Sequence, residues 1–171
     1  RWVYTFYELS CADDAYSSVA VGDINGDGNQ EILALVDTSP GVIGQDALQI
    51  FEWNPDSMSF LSEPTYTWDM GLEAVWEAGQ ILVEDVDGDG NQEIIVSIMN
   101  GPSWADMATG GSSQLIIFEF QSATDGQAFF NIEYEDNIWT NWSGYNISTG
   151  DLDGDGFIEI YTVAYEYYHL I

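Results

Sequence analysis

Nine residues, Asp23-Ile24-Asn25-Gly26-Asp27-Gly28-Asn29-Gln30-Glu31, carry oxygen-bearing side chains at positions 1, 3, 5 and 9, and the pattern returns twice. The copies are Asp85-Val86-Asp87-Gly88-Asp89-Gly90-Asn91-Gln92-Glu93 and Asp151-Leu152-Asp153-Gly154-Asp155-Gly156-Phe157-Ile158-Glu159. Such spacing is what a hard divalent cation needs if one short segment is to wrap it in six or seven oxygens. Position 7 adds a backbone carbonyl, from Asn29, Asn91 or Phe157. Glycines at positions 4 and 6 let the backbone curl through positive φ, so that alternate side chains converge. No sulfur or imidazole stands near, which argues against zinc or copper. The expected cofactor is therefore Ca²⁺ at three sites: Asp23, Asn25, Asp27, Asn29 and Glu31; Asp85, Asp87, Asp89, Asn91 and Glu93; Asp151, Asp153, Asp155, Phe157 and Glu159. A single copy also reads as a solvated acidic turn. Three copies in register argue against that.

An EF-hand or dockerin-type loop places its bidentate acid at position 12 between helices. Position 12 here is Ala34, Val96 and Thr162. The acid stands at position 9, and the residues that follow are short apolar runs: Glu31–Val36, Glu93–Ile98 and Glu159–Ala164. Ser18–Val21, Gln80–Val83 and Asn146–Thr149 precede the loops and are also strand-like. Each loop is thus expected to join two strands.

The D-x-[DN]-G-D-G-x-x-E core between strands resembles the FG-GAP/VCBS repeat of calcium-binding β-propellers, the integrin-α-like repeats, here of the bacterial branch. The resemblance covers nearly the whole chain. It implies an all-β fold of β-propeller blades, each of four antiparallel strands with a calcium loop between the first and second.

The loops start 62 and 66 residues apart, a period suited to four-stranded blades. Within it, Leu48–Trp53 matches Leu115–Phe120. The expected third strands are Ala47–Trp53 and Gln114–Phe120; the expected fourth strands lie within 58–68 and Ala128–Trp139. The turns Asn54–Ser57 and Thr124–Gly126 separate them. The expected organisation is one partial propeller array over 1–171. Residues 1–11, with the aromatic strand Trp2–Leu9, form the outer strand of a preceding blade. Blades follow at 12–70 and 71–142, and 143–171 begin a third. A chain starting at Arg1 looks processed or excerpted. Such an array does not close alone, since closed propellers need about four blades or more. It is either a window on a longer chain or joins head to tail into a filament, with Trp2–Leu9 of one copy completing the blade begun at Gly150 of the next.

Composition limits the partners. A chain of 171 residues, 46% hydrophobic and 15% aromatic, can bury a core. Thirty acids against the single cation Arg1 give a net charge of −29; three Ca²⁺ would leave about −23. Such a surface repels nucleic acid and anionic lipid. No signal peptide, lipidation motif or apolar run of transmembrane length occurs in these residues. Cys11 is the single cysteine, so no internal disulfide forms. Calcium sites of modest affinity fill where calcium is near millimolar, which implies an extracellular, secreted or cell-surface setting.

Other residues that invite a chemical role have blander readings. Trp76 and Trp142 each stand nine residues before a loop. With Trp68, Trp139 and Tyr145 they suit either a sugar-stacking platform or blade packing, and recurrence at a fixed offset favours packing. Asn141 and Asn146 begin glycosylation sequons. Asn146 falls on an inner strand with little room for a glycan. His169 is the single histidine, and acid pairs such as Asp13-Asp14 or Glu135-Asp136 are expected by chance among so many carboxylates. No catalytic set emerges. The sequence thus points to a non-enzymatic adhesion, scaffold or surface-coat module with structural calcium and a protein or glycan ligand at the cell surface. The alternative is a non-catalytic propeller part of a secreted carbohydrate-active enzyme such as a polysaccharide lyase.

Overall fold

The computed structural model describes residues 15–37, 44–60, 63–74, 80–100, 112–139, 146–163 and 168–170, and these contain strands and turns but no helix. The strands are β1 (Ala15–Gly22), β2 (Glu31–Asp37), β3 (Gly44–Phe51), β4 (Trp53–Asn54), β5 (Ser59–Phe60), β6 (Tyr66–Ala74), β7 (Gln80–Glu84), β8 (Glu93–Asn100), β9 (Ser112–Thr124), β10 (Gln127–Trp139), β11 (Ile147–Gly150), β12 (Glu159–Val163) and β13 (Tyr168–Leu170). Each loop that the sequence singled out joins two antiparallel neighbours: β1 to β2, β7 to β8, and β11 to β12. Trp2–Leu9 lies outside the described residues.

Eight strands form one nearly closed, barrel-like sheet in the order β1-β2-β3-β6-β10-β9-β8-β7. Two antiparallel runs of four, β1-β2-β3-β6 and β7-β8-β9-β10, make up most of it. They meet through single bridges, Thr67 with Gln127 and Ala74 with Asn100. At the other end, Ser18 Oγ on β1 accepts the N–H of Ile81 on β7 at 3.1 Å. A separate three-stranded sheet, β11-β12-β13, follows.

The alternation of side chains explains the two cores. Leu33, Leu35, Leu48 and Ile50 from the first run meet Ile81, Ile94, Val96, Ile116 and Phe118 from the second. On the opposite face of β8 and β9, Ile95, Leu115 and Ile117 meet Ile147 and Ile160 of the three-stranded sheet. Strands buried on both faces read as unbroken apolar runs, as 94–96 and 115–118 do. Trp68 belongs to the first core, edge-on to Phe118 with ring centroids 4.5 Å apart and tilted against Phe130 at 4.6 Å. Its ring is therefore packing, not an open stacking platform. Trp76, Trp142 and Tyr145 lie outside the described residues.

Turn chemistry departs from expectation at one place and agrees at another. The strand expected over Ala47–Trp53 ends at Phe51, and Trp53 begins a two-residue ladder with Phe60, its ring edge-on at 5.2 Å. Asn54 Oδ1 draws the chain round by accepting from Asp56 and Ser57 N–H, so the following long strand starts only at Tyr66. Asp125 and Gly126 both take positive φ, 51° and 78°. That is the two-residue hairpin turn that Asp-Gly favours.

Candidate metal centres

Each loop is held by its own carboxylates in nearly the same way. The position 1 aspartate accepts the position 6 glycine N–H on Oδ2: Asp23 from Gly28 at 2.9 Å, Asp85 from Gly90 at 3.1 Å, Asp151 from Gly156 at 3.0 Å. Position 3 accepts from position 5: Asn25 from Asp27, Asp87 from Asp89, Asp153 from Asp155, at 3.0, 3.0 and 3.1 Å. Position 5 accepts from position 7: Asp27 from Asn29, Asp89 from Asn91, Asp155 from Phe157. The glycines at position 6 reach φ of 87°, 97° and 95°, a region that a Cβ disfavours. Folding a loop therefore turns its carboxylates inward without any basic partner.

The loops are not identical. Asp23 Oδ1 takes the N–H of Asp27, whereas Asp85 and Asp151 take those of Gly88 and Gly154. The structure brings Asp151, Asp153, Asp155 and Glu159 together, with one oxygen from each within 4.8 Å of the others. Asp85, Asp87 and Asp89 gather likewise. These two acidic groups could hold a metal ion. Asn25 leaves the first loop one acid fewer, and Asn29 and Asn91 donate their amides to Asp27 and Asp89.

Position 9 is where the loops reach the core. Glu31, Glu93 and Glu159 each accept the N–H of position 2 on Oε2: Ile24 at 3.1 Å, Val86 at 2.8 Å, Leu152 at 2.7 Å. Glu31 and Glu93 are 1% exposed, and Oε1 of Glu31 is buried with no hydrogen-bond partner. Burial pushes the Glu31 carboxyl up to about 7; the Ile24 N–H partly offsets this, and Asp27, Asp23 and Glu52 add to it. Burial likewise pushes Glu93 up to about 7 against the Val86 N–H, with Asp87, Glu133 and Asp85 adding.

Arg1 is the one Lys or Arg in the chain, so no described residue supplies a guanidinium or ammonium for these buried acids. An orphaned buried carboxylate oxygen is costly unless a proton or a cation meets it. A hard cation fits this donor set, because every candidate ligand is oxygen. Further acids crowd behind the loops. Glu119 faces Glu93 across the β8–β9 ladder and accepts from Asn91 Nδ2 at 3.1 Å. Burial and the neighbouring Glu119 raise Glu133 above the usual carboxylate range.

Asn146 is exposed just before β11; Asn141 lies outside the described residues. Glu135 is exposed and accepts from Gln114 Nε2 at 3.3 Å. Cys11 and Asp13-Asp14 lie outside the described residues. The residue that sequence reasoning missed is Gln92, filler between two candidate ligands in the sequence, whose amide reaches another loop. No protein-family model matches the chain, and no curated protein matches it.

Proposed function

We propose that this chain is part of a calcium-loaded β-propeller of the FG-GAP/VCBS kind, serving outside the cell as an adhesion, scaffold or surface-coat module with a protein or glycan ligand and no catalysis of its own. The observation that carries the calcium reading is the buried, unpartnered Oε1 of Glu31 in a chain almost without basic residues. Bound Ca²⁺ would supply positive charge to the crowded carboxylates. Asp23, Asn25, Asp27 and Glu31 would hold the first ion, with Asp85, Asp87, Asp89, Glu93 and then Asp151, Asp153, Asp155, Glu159 for the others. The Asn29, Asn91 and Phe157 carbonyls complete the sets.

The propeller reading is supported by the two successive four-stranded runs packed face to face, each with its loop between the first and second strand. The residue at loop position 2 supports it further. Ile24 is buried in the core between the first and second runs, and Val86 packs against the core shared with β11 and β12. The first and second loops thus each place an apolar side chain against the core shared with the strands that follow.

With affinity of ~0.1 mM and free calcium of ~1 mM, each ion adds roughly 1.4 kcal/mol to stability. Native mass spectrometry tests the reading: three Ca²⁺ per chain are expected, with Asp27→Ala, Asp89→Ala and Asp155→Ala each removing one. Unchanged stoichiometry in all three variants would overturn it. The adhesive role predicts calcium-dependent retention on surfaces coated with glycans or matrix proteins, abolished by chelation; absence of retention on every surface would remove that part.

A further inference from the structure

Gln92 stands between Asn91 and Glu93 in the second loop, yet its side chain leaves that loop. Oε1 accepts the backbone N–H of Asp23, first residue of the first loop, at 2.7 Å across 69 positions of sequence. The approach is close enough to depend on a glycine. A Cβ on Gly22 would lie 2.7 Å from this Oε1 and 2.2 Å from Val83 Cγ1. Among the described residues no equivalent side-chain hydrogen bond joins the second loop to the third. The residue aligned with Gln92 is Ile158, which has no side-chain acceptor, and Phe157 instead presents its ring edge toward Gly88.

We propose that Gln92 couples ion binding at the first two loops, so that they fill cooperatively while the third fills independently. This rests on the calcium reading above. An ion held by 85–93 fixes Glu93 and so the backbone that carries Gln92. The fixed amide then holds the N–H of Asp23, whose two carboxylate oxygens organise Asp27 and Gly28 in the first loop. Ordering one loop lowers the conformational entropy still to be lost by the other. Binding linkage makes the effect reciprocal.

A calcium titration followed through the amide resonances of Gly28, Gly90 and Gly156 reads the three loops separately. In the wild type, Gly28 and Gly90 should move together with a Hill coefficient above one, and Gly156 hyperbolically. Gln92→Leu should make all three hyperbolic and weaken the first site about fivefold, the low end of site-to-site coupling, without moving the third. Gln92→Glu keeps an acceptor and should restore the coupling. Should Gln92→Leu fail to fold, Asp89→Asn with Gln92 intact should still weaken the first site about fivefold, and Asp155→Asn should not. Independent sites in the wild type, cooperativity that survives Gln92→Leu, or a first site indifferent to Asp89→Asn would overturn the coupling and leave the calcium reading standing. No calcium-dependent shift at any of the three glycines would overturn both.

Discussion

Gln80 Oε1 accepts the backbone N–H of Ile147 at 2.8 Å, tying the start of β7 to the start of β11. Ser18 Oγ makes the same connection to Ile81 one repeat earlier. In both cases the side chain just before an apolar strand residue satisfies the N–H of the corresponding apolar residue in the next repeat. Those recipients, Ile81 and Ile147, are buried, so water is a poor substitute.

Removing either acceptor leaves a buried donor unpaired, which costs about 1–3 kcal/mol. Gln80→Ala and Ser18→Ala should each lower the unfolding free energy by that amount, read as a lower urea midpoint with an unchanged m-value, at saturating calcium. Substitution of the exposed Gln121, whose amide donates to Glu119, should stay within about 0.5 kcal/mol. Equal effects at all three positions would show that the latch adds nothing.

The raised carboxyls give a pH dependence whose sign is opposite to that of an ordinary salt-bridged acid. In the ion-free fold Glu31 and Glu93 lie near 7 against 4.5 for a free glutamate. The folded state then binds the extra protons, so this contribution is fully present below 4.5 and is lost as pH rises through 7. Chelated protein should melt at a lower temperature at pH 8 than at pH 5. Calcium should raise the midpoint strongly at pH 8 and weakly at pH 5, where protons already occupy the carboxylates. Thermal melts at both pH values with and without chelator check it; a calcium increment independent of pH would contradict it.

Position 2 of the loops gives a packing test. Ile24 is buried and Leu152 is 75% exposed, although the two occupy the same place in their repeats. Ile24→Ala should cost about 2–4 kcal/mol from lost burial and the cavity left behind. Leu152→Ala should change stability by less than about 0.5 kcal/mol. Chemical denaturation of both variants separates an inserted wedge from a loop residue of no consequence.

The loops and their flanking strands are legible in the sequence because their causes are local: ligand spacing, glycines that need positive φ, and apolar runs bounded by turns. What lies between repeats is not. Gln92 and Gln30 are the same residue at the same loop position, and only packing shows that Gln92 reaches Asp23. The short ladder of Trp53 with Phe60 depends on a local Asn54 turn overriding a run that otherwise reads as one strand. Burial of Glu31 is equally hidden, since an acid beside an apolar run looks like an exposed loop end until the fold buries it. The nearly closed order of the eight strands follows from two single bridges and one side-chain bond, which no periodicity announces.

Gly22 and Gly150 both precede a loop, and both look like the same requirement for a small residue. The structure separates them. A Cβ at residue 22 would meet Val83 and Gln92 well inside contact distance, whereas at residue 150 no atom of the described residues stands within 4 Å. Neither glycine has positive φ, so the difference is one of space and not of backbone strain. The second repeat carries Glu84 at this position, which shows that the loop itself tolerates a long side chain there. Gly22→Ala must push β1 away from β7 or displace the Gln92 amide, at a cost of about 1–3 kcal/mol typical of overpacking. Gly150→Ala should be neutral or stabilising by about 0.4–1 kcal/mol through the unfolded state. Thermal and urea unfolding of both, at saturating calcium, measure the contrast. A Gly22→Ala protein as stable as the wild type would mean that the close seam between β1 and β7 is not a constraint on residue 22.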